Sequence, residues 1–187
     1  MRFRATWISG LILALLLATE NGRGQAPSSS EYQIKVYELK AAFLYNFAQF
    51  VDWPPAAFAD AASPLVIGVL GDNPFGDLLE KTIRGKTLNN RRLETKPIRS
   101  LAEATNNCHM LFISSSEKDR LPEIFATLRG TRILTVGETP GFTETGGMIN
   151  FVMEGGKIRF QINDAAAKSA GLKISSKLLN LASRPAR

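Results

Sequence analysis

The chain has 187 residues, 44% of them apolar and 21% charged, with a formal net charge of +6, which fits a single globular domain with a normal core. One histidine, His109, and one cysteine, Cys108, exclude a His/Cys zinc centre and an intrachain disulfide. The positive excess is too small to point to nucleic acid.

Met1-Arg2-Phe3-Arg4 is a short basic start to the apolar run Trp7 to Ala18. That run is too short to span a bilayer comfortably and suits the core of an export signal. Residues 1–24 are therefore expected to be a signal peptide, with an uncleaved anchor as the alternative. Their removal takes Arg2, Arg4, Arg23 and Glu20 and lowers the charge to about +4. No cysteine follows the run, which argues against a lipid anchor at this point. Residues 25–31 read as a flexible segment and 32–183 as one domain, placed in the periplasm.

Tyr32 to Val51 carries the strongest helical pattern, with Val36, Leu39, Phe43, Phe47, Phe50 and Val51 at spacings of three and four. Asn46 intrudes on this stripe, which predicts a hydrogen bond from its amide to a neighbouring loop. Asp52-Trp53-Pro54-Pro55 ends the helix. Trp53 either caps the core or serves as an exposed binding anchor. Pro64 to Leu70 reads as a strand buried on both faces. Asn73 and Pro74 are a fitting N-cap and first position for a helix over Phe75 to Arg84. Arg92 to Ile98 is a weaker strand, and Ser100 with Glu103 opens a short helix. Met110 to Ile113 is a further buried strand, which makes Cys108 a buried free thiol in preference to a dimer bridge. A helix over Leu121 to Arg129 and a strand over Ile133 to Val136 follow.

Gly146 to Asn163 breaks this alternation. Two apolar runs flank Gly155-Gly156, a dipeptide suited to a two-residue turn, so a β-hairpin is predicted. Its register pairs Glu154 with Lys157, Met153 with Ile158, Phe151 with Phe160 and Ile149 with Ile162. The other face pairs Val152 with Arg159 and Asn150 with Gln161. Asn163 or Asp164 caps the next helix, which stops before Gly171, and Ser175 or Ser176 starts the last. The predicted fold is α/β: a three-layer sandwich with a mainly parallel sheet, helices on both faces, and the antiparallel C-terminal hairpin at its edge.

No catalytic constellation emerges. Gly68, Gly71 and Gly76 do not make a dinucleotide fingerprint, and Glu80 stands where a phosphate loop ending in Gly85-Lys86-Thr87 needs its first glycine. Ser114, Ser115 and Ser116 follow His109 on the same connection, which is awkward for a hydrolytic triad. No metal site and no cofactor are expected. Strand C-termini are where open α/β sheets bind ligands, and topology alone places Asp72, Asn73, Ser114, Ser115, Glu138 and Thr139 there. Glu117 shares that position. Helix capping and solvation are the plain alternative for this group. The basic cluster Lys81, Arg84, Lys86, Arg91, Arg92, Lys96 and Arg99 reads as a solvated face, or else as a surface for an acidic partner.

Several blocks resemble the YfiR family: Lys40-Ala-Ala-Phe-Leu-Tyr-Asn-Phe-Ala-Gln-Phe-Val-Asp-Trp-Pro54, Ile67-Gly-Val-Leu-Gly-Asp-Asn-Pro-Phe-Gly76, Leu111-Phe-Ile-Ser-Ser-Ser116, Gly146-Gly-Met-Ile-Asn-Phe-Val152 and Ala170-Gly-Leu-Lys-Ile-Ser-Ser-Lys-Leu-Leu179. The resemblance implies a periplasmic, non-enzymatic α/β protein with a tendency to form homodimers. It also implies a partner, the periplasmic sensor region of an inner-membrane diguanylate cyclase, whose repression lowers cyclic di-GMP. Disulfides known in the family cannot form here. Partner contact is expected on the polar hairpin face, at Asn150, Arg159 and Gln161, and at Trp53. A periplasmic small-ligand module with its crevice at the strand C-termini is the second reading.

Overall fold

The computed structural model describes residues 28–183; the expected export signal, residues 1–24, and the start of the expected flexible segment lie outside them. Helix α1 spans Ser29–Phe50 and opens on a capping box: the Ser28 hydroxyl accepts from Glu31 N, and the Glu31 carboxylate accepts from Ser28 N. The helix thus begins three residues before the apolar pattern does, and residues 29–31 are its first turn. Its fully buried line is Ala41, Leu44, Phe47 and Ala48, continued by Val51. Asn46 stays exposed and forms none of the expected bonds to a loop, because successive residues turn about 100° around a helix and the contact line passes it by. Leu39 is likewise exposed.

After α1 come β1 (Val51–Asp52), β2 (Leu65–Leu70), α2 (Leu78–Ile83), β3 (Thr87–Leu88), β4 (Arg91–Ile98), α3 (Leu101–Asn107) and β5 (Met110–Ile113). Then follow α4 (Leu121–Leu128), β6 (Leu134–Gly137), α5 (Phe142–Thr145), β7 (Ile149–Glu154), β8 (Lys157–Ile162), α6 (Asp164–Ser169), β9 (Lys173–Ile174) and α7 (Ser176–Leu179). Seven strands form one sheet in the order β3-β4-β2-β5-β6-β7-β8. From β4 through β7 the neighbours are parallel, and the edge strands β3 and β8 are antiparallel. The hairpin register is the one its turn dictates, from Glu154 opposite Lys157 to Ile149 opposite Ile162. Gly155 and Gly156 both take positive φ, as that turn requires.

Alternate residues of the central strands point to opposite faces, giving two cores. Leu65, Ile67, Val69, Met110 and Phe112 pack under α1 and α2. Val66, Leu70, Leu111 and Ile113 pack under α3, α4 and α5. This is the expected three-layer sandwich. At the end of β6 and just before β7, Gly137 and Gly147 have no room for a side chain, because the ring of Phe142 occupies both places.

Three local expectations shift. Asn73 does not cap a helix from Phe75; its side chain holds the turn before α2, accepting from Phe75 N and donating to Gly76 O. A 3-10 segment, Ser115–Arg120, precedes α4. Residues 51–52 pair with 173–174 in a two-stranded ribbon that ties the end of α1 to the C-terminal region. Gly171 does close α6 with positive φ, and the buried Leu172 follows it.

Cys108 is a buried free thiol, pushed up to about 11 chiefly by burial. His109 is also buried. Its Nδ1 accepts from Val66 N at 3.1 Å, its ring stacks on Phe58 at 4.3 Å, and its carbonyl accepts from Trp53 Nε1 at 3.2 Å. Burial holds the imidazole below its ordinary range, so it is neutral when folded. The unfolded chain therefore binds the extra proton first, and stability should be full above about pH 6.5 and fall as pH drops below it. Urea midpoints measured between pH 7.5 and 5.5 should decline, and the decline should flatten in His109→Asn.

Candidate functional site

The C-terminal ends of the parallel strands carry two distinct places. Strand order reverses between β2 and β5, the usual crevice of such sheets. Here the connections close it: Ser116 Oγ accepts from Asp72 N at 3.0 Å, and a side chain on Gly71 would meet Ser116 and Glu117. Asp72 and Asn73 are exposed. Ser114 is buried, and its hydroxyl faces Ser116 N at 3.4 Å.

The opening lies one step along, over β5, β6 and β7. Ser115 follows β5, Glu138 and Pro140 follow β6, and Asn150 to Met153 come from β7. From α1, Tyr37 and Lys40, three residues apart and so on one face, close the remaining side of a cavity of about 440 Å³. Lys40 Nζ bonds Glu138 Oε2 at 2.5 Å, with each side chain about a tenth exposed, 11% and 9%. The Tyr37 hydroxyl donates to the same carboxylate at 3.2 Å. Burial, with the Glu138 charge and hydrogen bond adding to it, pushes Tyr37 up to about 12, so it remains a donor. Lys40 also lies 4.6 Å from the Tyr37 ring centroid.

Of the residues singled out from the sequence, Ser115, Glu138 and Asn150 share this cavity. Asp72, Asn73 and Ser114 do not line it. Thr139 is buried beside it, its hydroxyl without a partner. Asn150, expected on an open hairpin face, is 1% exposed, and its Oδ1 has no partner. Arg159 is exposed and Gln161 half-buried on the edge strand β8. Trp53 is half-buried, bonded to the His109 carbonyl and packed against the core under α1. Sequence reasoning missed Tyr37 and Lys40. A lysine three residues after a tyrosine within an apolar helical stripe was the available signal.

A family model described as DUF4154, YfiR/HmsC-like, matches residues 37–183. The chain belongs to the YfiR/HmsC-like family. No curated protein matches it. Among solved structures, it is similar to a conserved domain protein from Vibrio cholerae O1 biovar El Tor str. N16961, at 11% identity and a TM-score of 0.52, covering 79% of this chain and 59% of that one. A second, the ABC domain of a Streptococcus pneumoniae protein in complex with L-Trp, has 14% identity and a TM-score of 0.46, covering 63% of this chain and 54% of that one. The chain thus spans between half and three fifths of the length of these structures, and the first likeness concerns the fold alone. The family match includes both Lys40 and Glu138.

Removing one partner of that ion pair leaves a charge in a largely dry site. Lys40→Met should cost about 3 kcal/mol in urea unfolding, whereas Lys40→Met combined with Glu138→Leu should recover most of the loss.

Proposed function

We propose that this YfiR/HmsC-like protein is a periplasmic repressor that binds the sensor region of an inner-membrane diguanylate cyclase and holds it inactive. The observation that carries this reading is the family match over residues 37–183. A regulator of this kind needs no chemistry of its own; it binds one conformation of its target more tightly than the other and so shifts the population. Among the described residues no helix is long and apolar enough to cross a membrane.

The contact face we assign is the outer side of the hairpin, centred on exposed Arg159 and reaching Gln161, both on β8. Arg159 has no ion-pair partner among the described residues. A free guanidinium at the rim of an edge strand suits a carboxylate on the partner and contributes to encounter rate and orientation.

Deleting the gene should raise cyclic di-GMP, and periplasmic crosslinking should recover a membrane cyclase. Arg159→Glu should weaken that capture at least tenfold while leaving the Tm of the purified protein within about 1 °C, since an exposed rim substitution costs little stability. Unchanged cyclic di-GMP and no recovered cyclase would refute the assignment.

A further inference from the structure

The outer flank of α1 and the open edge of β8 enclose a groove. Tyr32, Val36 and Leu39 follow one another at spacings of four and three along the helix, and Met153 and Ile158 come from the hairpin. Five large apolar side chains stand exposed among the described residues. Three of them, Tyr32 at 43%, Leu39 at 47% and Met153 at 52%, line this one groove. Singly exposed apolar residues are ordinary, whereas a collected patch rimmed by charge marks a place that another molecule covers.

Two further features define that molecule. The first is the backbone of β8, which has a sheet neighbour on one side only. Ser183 N donates to Phe160 O at 2.8 Å from outside the sheet. In an antiparallel pair the outward and inward groups alternate, so the N–H and C=O of Ile158, Phe160 and Ile162 point outward and those of Lys157, Arg159 and Gln161 point to β7. Apart from that one bond, the outward groups of Ile158 and Phe160 have no partner among the described residues. The second feature is charge. Lys35, Lys157 and Arg159 line the groove, no acidic residue does, and none of the three is in an ion pair among the described residues.

An open sheet edge recruits an extended chain, whose side chains then alternate between the two faces of the sheet. On the face under α1 they meet Tyr32, Leu39 and Ile158, and on the other face Lys157 and Arg159. We propose that the groove takes an extended segment of the partner as an added strand beside β8, with apolar and acidic residues alternating along it. The proposal rests on the repressor reading for the owner of that segment, the cyclase's sensor region. An anionic membrane would use the same cations and apolar side chains but has nothing to pair with the β8 backbone, so it is the less complete fit.

The test places a photo-crosslinking residue at Leu39 of the full exported chain in intact cells and sequences the attached peptide by mass spectrometry. The peptide should come from the cyclase's periplasmic region and alternate acidic and apolar residues. Ile158→Pro removes an outward N–H without breaking a bond to β7, a substitution an edge strand accepts. It should lower capture about tenfold, the effect of one lost backbone bond that leaves its acceptor unpaired. Ile158→Ala keeps that N–H and should lower capture less. If Ile158→Pro folds poorly, the exposed pair Lys157→Glu and Arg159→Glu replaces it and should lower capture at least as far. Equal capture by the Pro and Ala variants, or capture that survives both charge reversals, overturns the added strand. Capture of the cyclase from other positions but not from Leu39 overturns the groove and leaves the repressor reading standing. An alternating acidic segment of a different membrane receptor, captured at Leu39, supports the groove and overturns the cyclase. A crosslink to lipid, to a second copy of this chain or to its own residues 184–187 overturns the proposal.

Discussion

The contact on which the rest of this structure depends is the seating of α1 on the β7–β8 hairpin. Phe43 and Phe47 from the helix meet Phe151 and Phe160 from the two strands, with ring centroids between 5.1 and 6.0 Å apart. Each aromatic pair contributes roughly 0.5–1.5 kcal/mol beyond its buried area. An isolated two-stranded hairpin is marginal in water, and β8 is an edge strand with one neighbour in the sheet. The helix supplies the missing apolar contact. The Lys40–Glu138 pair sits one helical turn before Phe43 and Leu44, and its own net contribution is small once desolvation is counted. Its role is placement: the aromatic cluster holds the helix down, and the ion pair sets where along the sheet the helix lies.

That placement explains why the opening at the top of the sheet is displaced. In sheets of this order the crevice between β2 and β5, where the strand order reverses, is the expected binding place. Here Ser116 and Glu117 fill it against Gly71 and Asp72. The third turn of α1, with Tyr37 and Lys40, overhangs the ends of β6 and β7 instead, and a cavity appears there. The proposed partner face lies on the exposed edge strand, and the cavity lies under the helix. Both are adjacent to the same hairpin, so a change in the seating of α1 has a short physical route to the partner face.

Much of the fold was legible because its signals are local and repeated. Buried central strands read as continuous apolar runs, Gly155-Gly156 fixed a register that the structure reproduces pair by pair, and Gly171 marked a helix end. Elements of two residues have no periodicity to read, so β1, β3 and β9 went unseen. The β3–β4 turn did leave a trace in Asn89-Asn90, both at positive φ. Asn46 and Asn150 show the limit of pattern reading. One lay on an apparent apolar stripe yet is exposed, and the other lay on an apparent polar face yet is buried. Burial there is set by which neighbour overhangs which face, and that neighbour is distant in sequence. The same holds for the site. Glu138 and Ser115 were reachable from strand order, whereas Tyr37 and Lys40 come from a helix about a hundred residues away from Glu138.

The central claim is that α1 and the hairpin form one cooperative unit, and native-state hydrogen exchange tests it most directly. Amides of α1 from Tyr37 to Ala48 and of β7 and β8 should exchange through the same opening, with equal free energies close to that of global unfolding. Exchange of the α1 amides at a free energy several kcal/mol below that of the hairpin would show that the helix detaches on its own, and would contradict the account.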